Sequence, residues 1–543
     1  MPRQHGGAIR AVTRSVEGGN IEFELISVAR ETFHGTIDDE RPDLLRLDAE
    51  SIGFLGNNAR RVDPEVLDTQ AAVAFQPYNP FLRGLPAANH DGELLKKLGE
   101  LMAPAAGDPA QPESNLPAAY TYLGQFIAHD VSRMVICQDG EGFNFRTPRL
   151  DLDSLFGAID AAVHDPAKSV KFRGDMGLGL TAGGAYNRQD LPRAVSGEAQ
   201  IADARNDSNL ALAQFTVMMT RFYWKMLACR GNAGDARRAT KHHFQHVVLD
   251  DYLRKLIDPD VFTDVVDNGG TKIVARTPFL VPLEFALAAF RVGHSMVRDH
   301  YGSFSGSLPA DLPDLLGNTF LGKQLGYGPS GEHRLLNSWV VNWGGLIDLP
   351  NSAPSPAMAI DELMSIGLGK IPPWLFLQIV NCDGTTRDRS TVPEGTFVHL
   401  PVQTLLRGRL ACLPDAQTLH AEINRLLPAT AQLPPLRRAD EIAAVTSPDL
   451  KDFLTVAGAA FADSTPLWFY CLRESALPPA SGNRFGPLTS RIVMETIYAA
   501  IAEDPDGILA PSNARERFIP DKRIATENGY FGLRELVRFA MTV

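Results

Sequence analysis

One octapeptide of this chain has the residue types and spacing needed to handle protons. It reads Leu-Gly-Gln-Phe-Ile-Ala-His-Asp and occupies Leu123–Asp130. The apolar spacing around it, with no internal proline, predicts a helix from Ala118 to Val135. Gln125 and His129 are four residues apart, so they project from the same helical face. An imidazole and an amide on one face suit proton transfer in a dry pocket, although a core histidine explains the octapeptide alone equally well.

A second histidine stands in an apolar segment far downstream. Residues Ala289–Tyr301 read Ala-Phe-Arg-Val-Gly-His-Ser-Met-Val-Arg-Asp-His-Tyr, with His294 near their centre. Gly293 removes side-chain bulk and would let a flat ligand approach the backbone. Arg291 and Arg298 lie three residues before and four after His294, so on a helix they share roughly its face. A neutral imidazole with guanidinium neighbours suits an axial haem ligand. In isolation, a core histidine with solvated arginines is the simpler interpretation.

Together the two segments resemble a known pair of motifs. The pattern Gln-Phe-Ile-x-His-Asp, followed far downstream by Phe-Arg-x-Gly-His-Ser, is similar to the distal and proximal histidine motifs of the animal-type haem peroxidases. These belong to the peroxidase–cyclooxygenase superfamily, which has many bacterial members. The segment Asp203–Gln214 resembles the family stretch that carries the distal arginine, and Leu400–Gln417 resembles a further family block. The resemblance covers roughly residues 70–480.

The resemblance implies a large, mainly α-helical haem-peroxidase domain with few short strands and with haem b between a distal and a proximal helix. We expect that domain at residues 61–543, with an N-terminal arm of residues 1–60 packed on the body. The sequence itself favours one large helical domain. Its helical patterns are separated by proline-rich turns, and it shows no internal repeat and no convincing linker.

Three predicted helices would position the candidate residues. One runs through Leu210–Ala228 after a cap at Asp207 or Ser208. The next begins near Asp235 and runs to about Ile257. The third begins at Pro282, a residue type favoured in a first turn, and runs to about Tyr301 with the second histidine on it.

The resemblance also implies a role for each polar residue of the two motifs. His129 would take a proton from the inner oxygen of a peroxide bound at ferric iron and return it to the outer oxygen. Arg205 would stabilise the charge that develops as the O–O bond breaks. Gln125 would hold water or a small anion over the iron. His294 would supply the fifth iron ligand.

Three further residues are implied around the haem. Arg291 and Arg407 would lie near it, as cations suited to its propionates. The second ring nitrogen of His294 should donate to an acceptor, which raises the basicity of the ligand and fixes the ring. The family usually has an asparagine there. The matching position in this chain is Thr404, whose hydroxyl could accept the bond.

The segment 147–153 resembles the calcium loop of the same family. Asp130, directly after the distal histidine, would be the ligand from the helix side. The implied donors are hard oxygen atoms of the kind that calcium prefers. They belong to Asp130, Thr147, Arg149 through its carbonyl, Asp151 and Asp153. Family members usually have serine or threonine where Asp153 stands, and a solvated acidic turn is the alternative interpretation.

Two departures from the family pattern change what is expected. Vertebrate members bind haem through esters, from an acidic residue just before the distal histidine and another after the distal arginine. Those positions hold Ala128 and Ser208, which cannot form such esters, so we expect noncovalent haem b. The cyclooxygenase branch has its radical tyrosine three residues before the proximal histidine, where this chain has Arg291. This argues against fatty-acid oxygenation by that mechanism, although a tyrosine elsewhere could substitute.

The function expected from these motifs is that of a haem peroxidase. It would reduce hydrogen peroxide and oxidise small phenols or halides, in a response to oxidative stress. A haem-dependent fatty-acid dioxygenase is the alternative enzyme, and a non-catalytic haem-binding relative is the alternative outside catalysis. The sequence leaves the reducing substrate and the oligomeric state open.

Composition excludes several other classes. The 543 residues carry a formal net charge of −12, which argues against a nucleic-acid-binding surface. No apolar run approaches the roughly 20 residues of a membrane span. Residues 1–20 are polar and lack the apolar core of a secretory signal. The five cysteines lack the paired spacing of a zinc ribbon or a disulfide framework. We expect a cytoplasmic protein, or one exported without an N-terminal signal.

Overall fold

The computed structural model describes the main body of the chain and short pieces of its N-terminal region. The described residues are 16–17, 20–24, 35–37, 44–47, 76–78, 80–103, 111–136, 142–144, 146–157, 178–181, 188–274, 279–306, 308–327, 331–376, 378–388, 391–393, 395–510 and 518–542. Most of the predicted arm of residues 1–60 lies outside these ranges, so the boundary at residue 60 stays a prediction.

Helices dominate the body, which confirms the mainly α fold predicted from the sequence. In chain order the α-helices α1 to α16 are Gly92–Leu101, Ala119–Val131, Asp153–Phe156, Leu210–Arg230, Ala233–Val247, Arg254–Leu256, Pro259–Val266, Leu283–Leu287, Leu312–Gly317, Leu400–Leu410, Ala416–Leu426, Ala439–Ile442, Pro448–Thr455, Leu467–Ala476, Pro487–Ala502 and Leu533–Met541. A π-helix, Val248–Leu253, joins α5 to α6. Turns of 3₁₀-helix occupy Ala204–Asp207, Ala289–Met296, Asn337–Trp339, Trp343–Gly345, Ile366–Gly369, Pro373–Leu375, Ala429–Ala431 and Ala459–Ala462.

The strands are short, and the pairs described are antiparallel. In chain order β1 to β17 are Val16–Glu17, Asn20–Glu24, Gly35–Ile37, Leu44–Leu47, Gln76–Pro77, Glu113–Pro117, Met134–Ile136, Gly142–Asn144, Gly179–Leu180, Arg188–Asp190, His300–Ser305, Leu308–Asp311, Gly326–Tyr327, His333–Arg334, Pro356–Met358, Gln378–Val380 and Thr386–Asp388. The first four form a sheet in the order β1-β2-β4-β3, and three more form β5-β8-β7. The remaining strands pair as β9 with β10, β11 with β12, β13 with β14, β6 with β15, and β16 with β17.

The first two predicted helices are present, with changed ends. Helix α2 ends at Val131, because Ser132 is extended (φ −147°, ψ 127°). Helix α4 is capped by Asn209, whose side-chain oxygen accepts the Leu212 N–H at 2.9 Å, so the predicted cap at Asp207 or Ser208 is wrong. The segment predicted as one helix from Asp235 to about Ile257 contains α5, with 15 residues, and α6, with three, and the π-helix lies between them.

The predicted helix from Pro282 to Tyr301 is wrong as a continuous element. Helix α8 ends at Leu287, because Ala288 leaves helical geometry (φ −130°, ψ −77°). The chain then makes the 3₁₀-helix Ala289–Met296 and enters β11. His294 therefore stands on a tighter turn than an α-helix offers, and the face it shares with its neighbours follows a period of about three residues.

The core is built around α2. Phe126 is fully buried, and its ring lies 5.2 Å from that of Phe215 on α4 and 5.6 Å from that of Phe244 on α5. The buried apolar cluster that contains these rings extends along the chain from Tyr78 to Ala540. This packing holds the first histidine motif rigidly on the body. In the described part of the chain, no helix is both long enough and apolar enough to cross a bilayer.

A buried carboxyl anchors α8, the helix that leads to the second histidine. Glu284 is 1% exposed, and its Oε2 accepts the backbone N–H of Phe81 at 2.6 Å. Burial raises the pKa of Glu284 to about 7, and the bond from Phe81 opposes that rise. The folded state therefore favours the protonated carboxyl up to neutral pH.

The Glu284→Gln variant should differ from the wild-type protein in how its free energy of unfolding depends on pH. Because the folded-state pKa lies above the unfolded value, the wild-type protein loses stability as pH rises from about 4.5 through about 7. Glutamine keeps an oxygen for the Phe81 N–H and does not ionise. We expect the variant to gain up to about 3 kcal/mol relative to wild type between pH 4.5 and pH 8, measured by urea unfolding. Parallel stability profiles for the two proteins would contradict this.

Candidate active site

A cavity of about 570 Å³ lies between α2, the two 3₁₀-helices 204–207 and 289–296, α8 and α10. Its size is ordinary for a site that encloses a small molecule or a cofactor. Six of the predicted haem-site residues line it: Gln125, His129, Arg205, Arg291, His294 and Arg407. The tertiary structure thus brings together residues from distant segments of the chain.

His129 is held with one ring nitrogen free. Its Nδ1 lies 2.9 Å from Oδ1 of Asn206, whose Nδ2 donates to the Ser154 carbonyl at 3.3 Å. Since the amide nitrogen of Asn206 is engaged with a carbonyl, its oxygen faces the histidine and accepts the Nδ1 proton. This tautomer leaves the Nε2 of His129 without a proton. Desolvation, followed by the charge of Arg205, lowers the pKa of His129 to about 3. The ring is therefore a neutral base at neutral pH.

Arg205 is clamped from three directions. Its Nη2 lies 2.6 Å from Oδ2 of Asp203 and donates to the His129 carbonyl at 2.9 Å, while Nη1 donates to the Ser132 carbonyl at 2.8 Å. Its Nε also donates to Asp203. An arginine has five N–H groups, and these bonds to described residues use four of them, which leaves one at Nη1. Arg205 can offer a cavity ligand its charge and a single N–H.

Gln125 is oriented by the cap of α4. Its Oε1 accepts from Nδ2 of Asn209 at 3.1 Å, and the same asparagine caps the helix through its oxygen. Because the carbonyl of Gln125 is engaged, its amide N–H groups are the atoms available to a ligand in the cavity. Gln125 can therefore donate to a bound water or anion.

His294 presents the complementary arrangement. Its Nδ1 is buried and has no hydrogen-bond partner among the described residues, while the ring lines the cavity. The indole of Trp468 packs edge-on against the ring, with centroids 6.2 Å apart. Desolvation, followed by the charges of Arg291 and Arg407, lowers the pKa of His294 to about 3. A neutral ring with a buried second nitrogen has Nε2 available for a metal.

The predicted bond from His294 to Thr404 is wrong, because the Nδ1 of His294 has no hydrogen-bond partner among the described residues. Thr404 donates its hydroxyl to the carbonyl of Leu400, one helical turn earlier, at 3.0 Å. Threonines inside helices commonly satisfy their hydroxyls in this way. Thr404 lines a separate void of about 20 Å³ with Trp468, and it is not among the residues that line the main cavity.

Two arginines place buried positive charge at the cavity. Arg291 donates from Nε to the Ala286 carbonyl at 2.8 Å, and Arg407 lies over the ring of Phe376, 5.6 Å from its centroid. Desolvation lowers the pKa of Arg291 to about 10, and desolvation with the charge of Arg291 lowers that of Arg407 to about 9. Both stay cationic at neutral pH and favour a carboxylate-bearing ligand. Arg298, expected on the same face, instead pairs with Glu113 at 2.7 Å.

The two positions at which this chain lacks a carboxylate for an ester to haem also line the cavity. Ala128 and Ser208 are lining residues, and neither carries a carboxylate. Of the carboxylates on the lining, Asp207 is paired with Arg193 at 2.8 Å. Glu198 is the other, and it stands on a separate segment from both motifs.

An acidic cluster lies directly behind α2. One carboxylate oxygen from each of Asp130, Asp151 and Asp153 lies within 4.8 Å of the others. Asp130 accepts three bonds, from the Leu152 N–H at 2.9 Å and from the N–H and hydroxyl of Ser154 at 3.1 and 2.8 Å. Leu152 takes a left-handed conformation (φ 63°), which is costly for a leucine and lets its two acidic neighbours converge.

The electrostatics of this cluster favour a cation. Burial and then the Asp151 charge raise the pKa of Asp130 to about 7, and burial raises that of Asp153 well above its usual range despite the opposing charge of Arg146. Oδ1 of Asp153 is buried without a partner among the described residues. The predicted ligand Thr147 donates its hydroxyl to Asp151 at 3.0 Å, so it is in place beside the cluster. The guanidinium Nε of Arg149 is buried without a described partner.

Comparison with known proteins supports the predicted fold. No family model and no curated protein matches the sequence. Peroxidase A from Dictyostelium discoideum is 15% identical over 85% of this chain and 95% of that chain, with a TM-score of 0.54. The fatty acid alpha-dioxygenase of Arabidopsis thaliana is 13% identical over 86% and 76%, with a TM-score of 0.51. A tyrosine-to-phenylalanine variant of the Oryza sativa fatty acid alpha-dioxygenase, solved with palmitic acid, is 13% identical over 99% and 86%, also with a TM-score of 0.51.

The chain therefore has the fold of this peroxidase and of the two fatty acid alpha-dioxygenases, which agrees with the fold that the two histidine motifs predicted. Sequence reasoning missed the residues that orient the motifs. Asn206 sits directly after the predicted arginine, but nothing in its type or spacing distinguishes a histidine partner from a turn residue. Trp468 lies 174 positions beyond His294, so no local pattern connects the two.

Proposed function

We propose that this chain is a haem b peroxidase that reduces hydrogen peroxide and oxidises small phenols or halides. The observation that carries the proposal is the single cavity shared by two neutral imidazoles, His129 and His294. One has its Nδ1 bonded to a protein oxygen, and the other has its Nδ1 buried without a described partner. Two such rings suit two different tasks, which are proton transfer and metal ligation.

The residues present fit a haem on three counts. The unpartnered Nδ1 of His294 leaves Nε2 as the ligating atom. Arg291 and Arg407 offer buried cations for two propionates. At Gly293 an added Cβ would meet no atom within 4 Å, so the backbone beside His294 faces open space that a flat group can occupy. With Ala128 and Ser208 unable to form esters, the haem would be held noncovalently.

Bound haem would supply the iron that binds peroxide and the redox chemistry of O–O cleavage. His129 would accept the peroxide proton at Nε2 and return it to the departing oxygen, while Asn206 keeps its other nitrogen protonated. Arg205 would stabilise the negative charge on that oxygen through its remaining N–H. Gln125 would position a water or small anion through its amide N–H groups. His294 would stay a neutral ligand, because desolvation and two arginines disfavour its protonation.

A fatty-acid dioxygenase is the second candidate, and the apolar part of the cavity favours it. That lining comprises Leu312, Leu315, Leu316, Phe320, Leu321, Leu368, Ile371, Leu375, Val380 and Leu400. An acyl chain could lie against such a wall, and alpha-dioxygenases share this fold. Arg291, in the place of the radical tyrosine, weighs against it. Oxygen uptake with palmitic acid that disappears in the His294→Ala variant would favour this candidate over the peroxidase.

Haem loading tests the proposed axial ligand. Purified protein reconstituted with haem should show a Soret band, and His294→Ala should lose most of it because no other described histidine lines the cavity beside His129. Thr404→Ala is the matched control, since its hydroxyl already bonds a carbonyl. Acid–organic extraction should release the haem from the wild-type protein. Absence of haem after reconstitution would leave only a non-catalytic relative as an interpretation.

Reaction with peroxide tests the role of the other histidine. In His129→Gln we expect retained haem and a reaction with hydrogen peroxide slowed by about 10²- to 10⁴-fold, the usual contribution of a positioned acid–base group. His242→Gln is the control, because His242 bonds the Asp506 carbonyl away from the cavity. Stopped-flow spectra of the Soret region give the rate. A rate equal to wild type in His129→Gln would refute the assignment.

We also propose that calcium binds between Asp130, Asp151 and Asp153, with Thr147 and the carbonyl of Arg149 as further ligands. The support is the convergence of three largely buried carboxylates whose mutual repulsion a divalent cation would relieve. Because Asp130 directly follows His129, the ion would tie the loop 146–157 to the helix that carries the acid–base group.

Calcium should therefore raise the thermal midpoint of the wild-type protein. Binding at 100 times Kd adds about 2.7 kcal/mol to the free energy of unfolding. Asp151→Asn should abolish the difference between calcium and EGTA while keeping an oxygen for the Thr147 hydroxyl. The exposed Asp452→Asn should behave as wild type. Equal midpoints in calcium and EGTA for the wild-type protein would refute the site.

A further inference from the structure

One tyrosine of the cavity has no role in the proposed peroxide chemistry. Tyr252 is 2% exposed and lines the cavity. Its ring meets that of Phe290 edge-on, with centroids 6.3 Å apart, and Phe290 stacks on Phe285 at 4.8 Å. Both phenylalanines line the same cavity. Tyr252 therefore stands at an aromatic wall of the site.

The hydroxyl of Tyr252 lies directly over the backbone of α2. A Cβ placed on Gly124 would come within 2.5 Å of this oxygen, closer than real Cβ atoms approach any heavy atom. An alanine at this position would therefore force the Tyr252 hydroxyl to shift, and Gly124 is itself a lining residue. Since Gly124 adjoins Gln125, the hydroxyl reaches the part of the cavity next to the first histidine motif.

The hydroxyl of Tyr252 is free to donate a hydrogen bond, unlike the hydroxyls around it. Tyr252 has no hydrogen bond to any other described residue, and burial alone raises its pKa far above the usual value of a phenol. The neighbouring hydroxyls are engaged: Thr121 donates to the Met296 carbonyl at 3.3 Å, and Tyr122 shares a 2.6 Å bond with Tyr301. A phenol that stays protonated and has no protein acceptor can serve a ligand.

An irregular helical element positions Tyr252. Tyr252 lies on the π-helix Val248–Leu253, an element that is rare and often found at functional sites. The preceding residue, Asp251, is buried and accepts from Tyr120 at 2.9 Å, from Tyr530 at 2.9 Å and from the Leu533 N–H at 2.7 Å. These bonds fix the π-helix to α2 and to the C-terminal helix α16. The hydrogen bonds to Asp251 therefore hold the neighbouring Tyr252 in position.

We propose that Tyr252 is the hydrogen-bond donor that orients the organic substrate, and that this substrate is a neutral aromatic molecule bearing an acceptor oxygen, such as an alkoxyphenol. The ring of the substrate packs against Phe285 and Phe290, and its oxygen accepts from the Tyr252 hydroxyl. The neutral character follows from this part of the cavity, because Tyr252, Gly124 and the two phenylalanines carry no charge, whereas the cations Arg291 and Arg407 are assigned to the haem propionates. The proposal deepens the proposed peroxidase function and rests on it for the identity of the reaction.

The test compares two probes that differ in an acceptor oxygen. Acetophenone and ethylbenzene are titrated into the ferric haem-loaded protein, and binding is followed by the Soret difference spectrum. In Tyr252→Phe we expect the Kd of acetophenone to rise about 3- to 10-fold, the loss of one hydrogen bond, while that of ethylbenzene is unchanged. With 2-methoxyphenol as reductant, KM should rise by a similar factor and kcat should be retained. Tyr498→Phe, whose ring does not line the cavity, should match wild type.

A second variant displaces the same hydroxyl through a change on α2. Gly124→Ala adds a methyl group that would come within 2.5 Å of the Tyr252 oxygen, so the hydroxyl must shift and acetophenone binding should weaken although the tyrosine is retained. The double variant Gly124→Ala/Tyr252→Phe should lose no more affinity than either single variant, because both act through one hydrogen bond. Additive losses would overturn the assignment of both effects to that bond.

The outcomes separate this inference from the proposed function. Equal acetophenone affinity in wild type and Tyr252→Phe overturns the inference even if the wild-type protein oxidises phenols. A selective loss of acetophenone affinity in a protein that does not react with peroxide supports the site and refutes the peroxidase. Loss of haem or of cyanide affinity in Tyr252→Phe would show that the hydroxyl serves the haem, and would also overturn the inference.

Discussion

The buried carboxylate of Asp203 is the interaction on which the candidate site depends. It is fully buried and receives Arg146 at 2.7 Å and Arg205 at 2.6 Å. Burial alone would raise its pKa, but the two arginines hold it well below the usual range. Arg146 also lies 3.6 Å from Asp153, so one ion network joins the acidic cluster to the cavity. Removing one partner of such a network leaves an uncompensated buried charge, which is the costly change in a protein interior.

This network also sets how much of Arg205 is available to a ligand. Asp203, Ser132 and His129 take most of its N–H groups, so its orientation is decided before any ligand binds. A charge held in place costs no reorganisation when negative charge develops nearby. The same guanidinium helps to keep His129 neutral. Base and electrostatic partner are thus tuned by one arrangement, and neither can be changed without the other.

The two histidines reach the same low pKa by a shared cause and then diverge in their surroundings. Desolvation is the largest effect on both, and arginines add to it. For His129 the Asn206 oxygen fixes the tautomer, whereas for His294 the second nitrogen has no described acceptor. Solvent exclusion therefore makes both rings neutral, and the hydrogen bond at Nδ1 is what distinguishes a proton carrier from a ligand.

The sequence by itself determined the fold class and six of the residues that line the cavity. Spacing of four residues put Gln125 and His129 on one face, and the two motifs identified residues that the structure gathers around one space. Helices α2 and α4 were predicted to within a few residues, because apolar periodicity and caps are local properties. That Ala128 and Ser208 cannot form esters with haem could be inferred from the sequence alone, since side-chain chemistry does not depend on folding.

Only the tertiary structure decided the hydrogen bonds and the breaks between elements. The helix expected through Tyr301 ends at Leu287, and Thr404 bonds its own helix, although sequence position suggested otherwise. Helix α4 is capped by Asn209 and not by the predicted residues. The π-helix that carries Tyr252 cannot be recognised from the apolar pattern. Sequence periodicity reports which face of an element is buried, whereas hydrogen-bond partners depend on which other elements pack against that face.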